Sequence, residues 1–143
     1  MENPKEAESE EIRIVKVQGS DPLLHRLIGP MVIHPLVISL NGGYPFKNTE
    51  EHLWYIAIRG NKETKETAGF LSVLNNTIEN DCTLRDQLLL ARLVKTALAD
   101  MPAGTVVRFT AHKDEIPLMK ELGFELTNTK RPAVEYFKMF KKI

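Results

Sequence analysis

Glu79 and Asp81 stand two residues apart in Thr77-Ile78-Glu79-Asn80-Asp81-Cys82-Thr83, a segment whose composition admits a strand. At period two their carboxylates share one strand face. A carboxylate so placed can act as a general base, taking a proton from an attacking group; a solvated strand edge would use the same residues with no chemistry. His112 closes another strand-like segment, and its imidazole suits proton transfer near neutral pH, or equally the capping of a turn. Cys82 is the only cysteine, so an intramolecular disulfide is ruled out. Its thiol is either a nucleophile or a small buried apolar group. His25, His34 and His52 are scattered without the close spacing of ligands, and with one thiol in the chain no metal site is expected.

The composition narrows the classes of partner. The chain has 143 residues, 43% hydrophobic and 27% charged, which suits one globular domain. Nineteen basic side chains balance nineteen acidic ones. A balanced chain lacks the clustered positive charge of a nucleic-acid interface, so no nucleic-acid partner is expected. Lys138, Lys141 and Lys142 read as a solvated basic tail. Residues 1–10 are acidic and polar, unlike a signal peptide, and are expected to be a flexible leader to a single domain over 11–143. The longest apolar stretch, Met31 to Leu40, is interrupted by His34 and Pro35 and is too short for a bilayer. No membrane association and a cytoplasmic setting are expected.

The elements that must position these residues follow from periodicity. Ile12 to Val17 alternates as a first strand, and Asp21-Pro22 opens a helix ending near Gly29-Pro30. Residues 31–47 read as a short helix or an extended run before the loop Asn41-Gly42-Gly43-Tyr44-Pro45. His52 to Arg59 and Thr67 to Leu74 form a hairpin, and Asn75-Asn76 turns into the segment carrying Glu79. Leu90, Leu93, Val94, Ala97, Leu98 and Met101 recur at helical spacing over 85–101. A strand over 105–111, a helix over 114–122 capped by Gly123, and two strands over 124–129 and 134–140 complete the chain. The last strand is expected to leave an edge through which two copies could pair as a homodimer. The order predicts an α/β fold of the α+β kind: a mixed, mostly antiparallel sheet with helices on both faces.

This order, with Thr110 to Glu125 as its most telling stretch, resembles the GNAT N-acetyltransferase superfamily over about residues 12–141. There a strand runs into a helix ending in Leu-Gly-Phe, here Leu122-Gly123-Phe124, followed by an antiparallel strand pair. The resemblance implies an acyl-CoA cleft where two parallel strands, Thr77–Thr83 and Thr105–Ala111, splay apart. Backbone groups of the first strand, through Cys82 and Thr83, would hold the pantetheine arm. The pyrophosphate would lie on the helix start at Arg85, Gln87, Leu88 and Leu90, where N–H groups and the helix dipole favour an anion. Glu79 or Asp81 would be the base toward a small-molecule or protein amine, with His112 beside the cleft. Tyr44, Phe46 and Trp54 would flank an apolar acceptor pocket, Trp54 doubling as ordinary core.

Leu88, Leu90 and Met119 depart from the family's pattern, and Asp86 adds a charge. Its cofactor loop places Gly at the position of Leu88 and Gly or Ala at that of Leu90, and leucine there would crowd the phosphates or turn into the core. Asp86 adds negative charge beside them. The tyrosine that reprotonates the leaving thiolate in many members is replaced by Met119. Two functions are therefore expected to compete: acetyl-CoA-dependent N-acyl transfer, and a catalytically inactive GNAT-like domain that binds a ligand or a protein.

Overall fold

The computed structural model describes residues 11–35, 37, 46–60, 65–127 and 136–143. The expected leader over 1–10, the Gly42-Gly43 loop with Tyr44, and the turn over 130–132 lie outside them. The elements are β1 (Ile12–Gln18), α1 (Leu23–Val32), β2 (Leu53–Gly60), β3 (Lys65–Leu74), β4 (Thr77–Cys82), α2 (Gln87–Ala99), β5 (Val106–His112), a 3-10 turn (Lys113–Glu115), α3 (Ile116–Glu121), β6 (Glu125–Leu126) and β7 (Tyr136–Lys142).

The seven strands form one sheet in the order β1-β2-β3-β4-β5-β7-β6. Every neighbouring pair is antiparallel except β4–β5. Alternation along β2 explains the two layers. Trp54, Ile56 and Ile58 pack with Leu24 and Ile28 of α1 on one face, while Tyr55 and Ala57 pack with Leu89, Leu90, Leu93 and Val94 of α2 on the other. Met119 of α3 joins the second layer. The expected mixed sheet with helices on both faces is what the chain forms.

Several local expectations hold for the physical reasons that suggested them. The Asp21 carboxylate accepts from Leu23 N–H at the start of α1. Asn75 and Asn76 both take positive φ (49° and 61°), as a two-residue hairpin turn requires. At the end of α3, Phe124 N–H reaches Met119 C=O and Gly123 N–H reaches Lys120 C=O, with Gly123 at φ 95°. That double closure needs a left-handed residue, and Met119 and Phe124 then meet in the core.

Four expectations are corrected. Helix α1 runs through Gly29-Pro30 to Val32; Pro30 forgoes one i→i−4 hydrogen bond, but the helix ends two residues later. Strand β7 is an edge only in part: it pairs along its length with β5, and the two-residue β6 covers it at Met139 and Phe140. Its lysines belong to that strand rather than to a tail. The last helix is preceded by a 3-10 turn that His112 caps.

Candidate functional site

The parallel pair is short. β4 and β5 are in register only at Thr77–Arg108 and Ile78–Phe109. Beyond those two rungs both strands continue, β4 to Cys82 and β5 to His112, without pairing to each other. The parting coincides with a bulge. Opposite β3 the register passes from Ser72–Glu79 to Phe70–Cys82, so β4 spends one more residue than its neighbour. Asn80 absorbs it at φ 56°, a left-handed conformation that asparagine tolerates better than most residues.

The bulge breaks the simple alternation that placed Glu79 and Asp81 together, and the two carboxylates take different partners. Glu79 lies across from Ser72, which in turn lies across from Trp54, and its Oε1 is 2.7 Å from Nε2 of His52. His52 is 2% exposed and Glu79 39%. The other ring nitrogen, Nδ1, accepts from Thr49 N–H at 2.8 Å and lies 2.9 Å from Thr49 Oγ1. Asp81 instead bonds to the Glu115 carboxyl, which belongs to the turn following β5. The pair therefore links the two parted strand ends. Burial, then the facing Glu115 carboxylate, pushes the Asp81 carboxyl well above the usual range. Burial likewise raises Glu115, although the His112 N–H, 2.9 Å from its Oε1, works the other way. Within the pair, the contact raises Asp81 and holds Glu115 down, so burial carries the rise of Glu115.

The remaining candidates are placed as follows. His112 caps the 3-10 turn: its Nδ1 accepts from Asp114 N–H at 3.2 Å, and its ring meets Tyr136 edge-on. Cys82 packs with Trp54 and Phe70, and burial pushes its thiol up to about 11, which disfavours the thiolate that a nucleophile needs. Thr83 is buried, and its carbonyl accepts from Asp86 N–H. Arg85 points outward, 71% exposed and 3.9 Å from Asp114, and is with Leu84 one of two consecutive left-handed residues. Gln87 donates to the Asp114 carbonyl at 2.9 Å.

The two leucines at the glycine positions part company: Leu88 is 85% exposed and Leu90 is 1% exposed. The start of α2 carries its own anion. Asp86 is the N-cap, with its carboxylate accepting from Leu89 N–H at 3.1 Å. Met119 is wholly buried and reaches no solvent. Among the described residues no group of His, Cys, Asp and Glu could hold a metal ion, and no helix is long and apolar enough to cross a membrane.

Sequence reasoning missed His52. Its signal lies in the hairpin turns: a two-residue turn at Asn75-Asn76 sets Ser72 opposite Glu79. Ser72 faces Trp54, which puts His52 on a diagonal from Glu79, within reach of its ring. The loop 46–49 is fastened over the same region. Asn80 Nδ2 donates to Lys47 C=O at 2.7 Å and Asn80 Oδ1 accepts from Lys47 N–H at 3.0 Å. Trp54 Nε1 donates to Asn48 at 2.8 Å, and Phe46 meets Phe70 edge-on.

No protein-family model matches the chain, and a comparison with curated proteins finds no match. Among solved structures, a domain from Methanocaldococcus jannaschii DSM 2661 aligns with a TM-score of 0.61 at 14% identity, over 93% of this chain and 100% of that one. At that identity the likeness is one of fold.

Proposed function

We propose that this domain transfers an acyl group from a thioester, acetyl-CoA as the donor to test first, to an amine, with Glu79 as general base. The observation that carries the reading is the two-rung parallel pair that parts at Ile78–Phe109, with Glu79 the next residue of β4. Parted strands leave backbone N–H and C=O groups without a ladder partner between them. An extended amide-bearing arm such as pantetheine can use such groups as an added strand would.

In the proposed reaction the acceptor enters as an ammonium and gives one proton to the Glu79 carboxylate. The freed amine attacks the thioester carbonyl, forming the C–N bond. The C–S bond breaks as the tetrahedral intermediate collapses, and the nitrogen's second proton goes to the departing thiolate. The products are an amide, a thiol and the proton held on Glu79, which water removes. The acceptor is a small molecule or a protein amine, and the proposed setting is cytoplasmic.

The test is a titration with acetyl-CoA followed by melting temperature. Free ligand at 100 times its dissociation constant adds about 2.7 kcal/mol of stability. No shift at millimolar acetyl-CoA would refute the proposal. Glu79→Gln is expected to keep the shift and lose turnover.

The start of α2 favours a second reading, a GNAT-like binding module without catalysis. Asp86 occupies the helix end where a pyrophosphate would lie, and Leu88 offers solvent an apolar side chain beside it. Absence of both shift and turnover with acetyl-CoA selects this reading.

A further inference from the structure

We infer that His52 is a positioning residue for Glu79, held in a single tautomer by the backbone of Thr49. A backbone N–H can only donate, so the Nδ1 it reaches at 2.8 Å must be bare. The ring proton then sits on Nε2, which donates to Glu79 Oε1 at 2.7 Å. A ring carrying protons on both nitrogens would have to abandon Thr49. Glu79 is thereby anchored through one oxygen by a neutral donor. The salt bridges among the described residues pair Glu79 with no lysine or arginine, so the carboxylate, 39% exposed, keeps its negative charge.

The loop that supplies the Thr49 N–H is itself fixed. Gly19 N–H and Gln18 Nε2 both donate to the His52 carbonyl, and Asn48 Nδ2 donates to the Gly19 carbonyl at 2.9 Å. The Thr49 carbonyl lies so close to Gly19 that any Cβ there would run into it. The ring is buried beside Trp54, with centroids 6.3 Å apart. The chain of dependence runs from Gly19 to the loop, from the loop to the imidazole, and from the imidazole to the carboxylate. It selects an ammonium as the group Glu79 receives, since a fixed, unneutralised carboxylate oxygen complements a cationic donor.

The consequence for turnover rests on the acyl-transfer reading; the tautomer does not. The experiment has two arms. Long-range nitrogen–proton NMR on the histidine-labelled protein is expected to show His52 protonated on Nε2 and bare on Nδ1. Thr49→Val, which keeps the backbone N–H, should leave that pattern unchanged. Thiol release from acetyl-CoA with the primary amine of lysine amide as acceptor forms the second arm. There His52→Phe is expected to lower kcat about tenfold, the loss of one charge-assisted hydrogen bond, with KM for acetyl-CoA unmoved. His52→Gln, which retains an N–H donor, should recover part of the loss. Gly19→Ala, remote from both side chains, should lower kcat in the same way.

A proton on Nδ1, or loss of the tautomer in Thr49→Val, overturns the inference. Equal kcat losses in the Phe and Gln variants overturn the positioning role. If the wild-type protein turns over no thioester, the functional reading fails and takes the kinetic arm with it, while the nitrogen spectra still decide the tautomer.

Discussion

Asp86 allows stability and anion affinity to be separated at one position. Its carboxylate accepts Leu89 N–H at 3.1 Å and caps α2. Alanine removes both the acceptor and the charge; asparagine keeps an acceptor of similar capping strength and removes only the charge. Asp86→Ala is therefore expected to cost about 1 kcal/mol, which for a chain of this size is about 4 °C in Tm. Asp86→Asn should stay within about 0.5 kcal/mol of the parent, in the ordinary range of a surface change. Affinity runs the other way. A charge beside a helix N-terminus is worth about 0.3–1 kcal/mol, so removing it should tighten a diphosphate ligand there by up to about fivefold. The assay is a melting curve for each variant with and without acetyl-CoA at low ionic strength. If Asp86→Asn melts as low as Asp86→Ala, the carboxylate acts through charge and not as a cap. If Asp86→Asn binds acetyl-CoA no more tightly than the parent, the capping anion is not what opposes the phosphates.

The Asp81–Glu115 pair gives the protein a pH dependence of definite sign. Both carboxyls titrate above their ordinary values in the folded state, so the pair's contribution is fully present below the unfolded carboxylate range of about 4. It is lost as pH rises through the raised folded values. Tm should therefore fall with rising pH over that window, and Asp81→Asn should flatten the fall; an equal slope in the variant would remove the pair as its source. At the two leucines of α2, Leu90→Ala should cost about 2–5 kcal/mol and Leu88→Ala less than about 0.5 kcal/mol, read by denaturant unfolding. Similar losses at both would contradict their exposures. Tyr55 Oη donates to Asp100 Oδ2 at 2.7 Å, beside Lys16. Tyr55→Phe should cost about 1 kcal/mol by the same measurement, and no loss would mean that Lys16 alone satisfies the carboxylate.

What the sequence made legible was local and periodic. The alternation in β1 and β2, the asparagine turn and the Leu-Gly-Phe closure each rest on a conformation that few residues prefer, and each appears where that preference puts it. The site was less legible, because its geometry depends on one residue that breaks the period. Asn80 is compatible with an ordinary strand, and nothing in its neighbours says that the chain takes an extra step there. Without that step Glu79 and Asp81 look equivalent; with it one meets a histidine and the other a carboxyl. His52 lacked any local signature, since its partner is 27 positions away and only the stacked registers of β2, β3 and β4 bring them together. The role of Asp86 was visible as charge but not as a cap, because the helix begins at Gln87 and not at Arg85.

The two rungs joining β4 to β5 also bear on how the protein opens. Strands β1 to β4 follow one another in space as they do in sequence; β2, β3 and β4 are joined by short connections, and β1 meets β2 across the segment that carries α1. The β5-β7-β6 sheet closes only after β7 has come back between its neighbours, and it is attached to the rest by Thr77–Arg108, Ile78–Phe109, the Asp81–Glu115 and Gln87–Asp114 contacts, and the shared layer beneath α2 and α3. A seam with so few backbone bonds is expected to divide the domain into two cooperative units of unequal strength. Amide exchange is expected to reflect this, with Phe109 and Ala111 exchanging through a partial opening that leaves Ile56 and Leu71 protected. The gap proposed to admit a ligand would then also be the line along which the molecule first comes apart, and a ligand seated there would slow exchange on both sides at once.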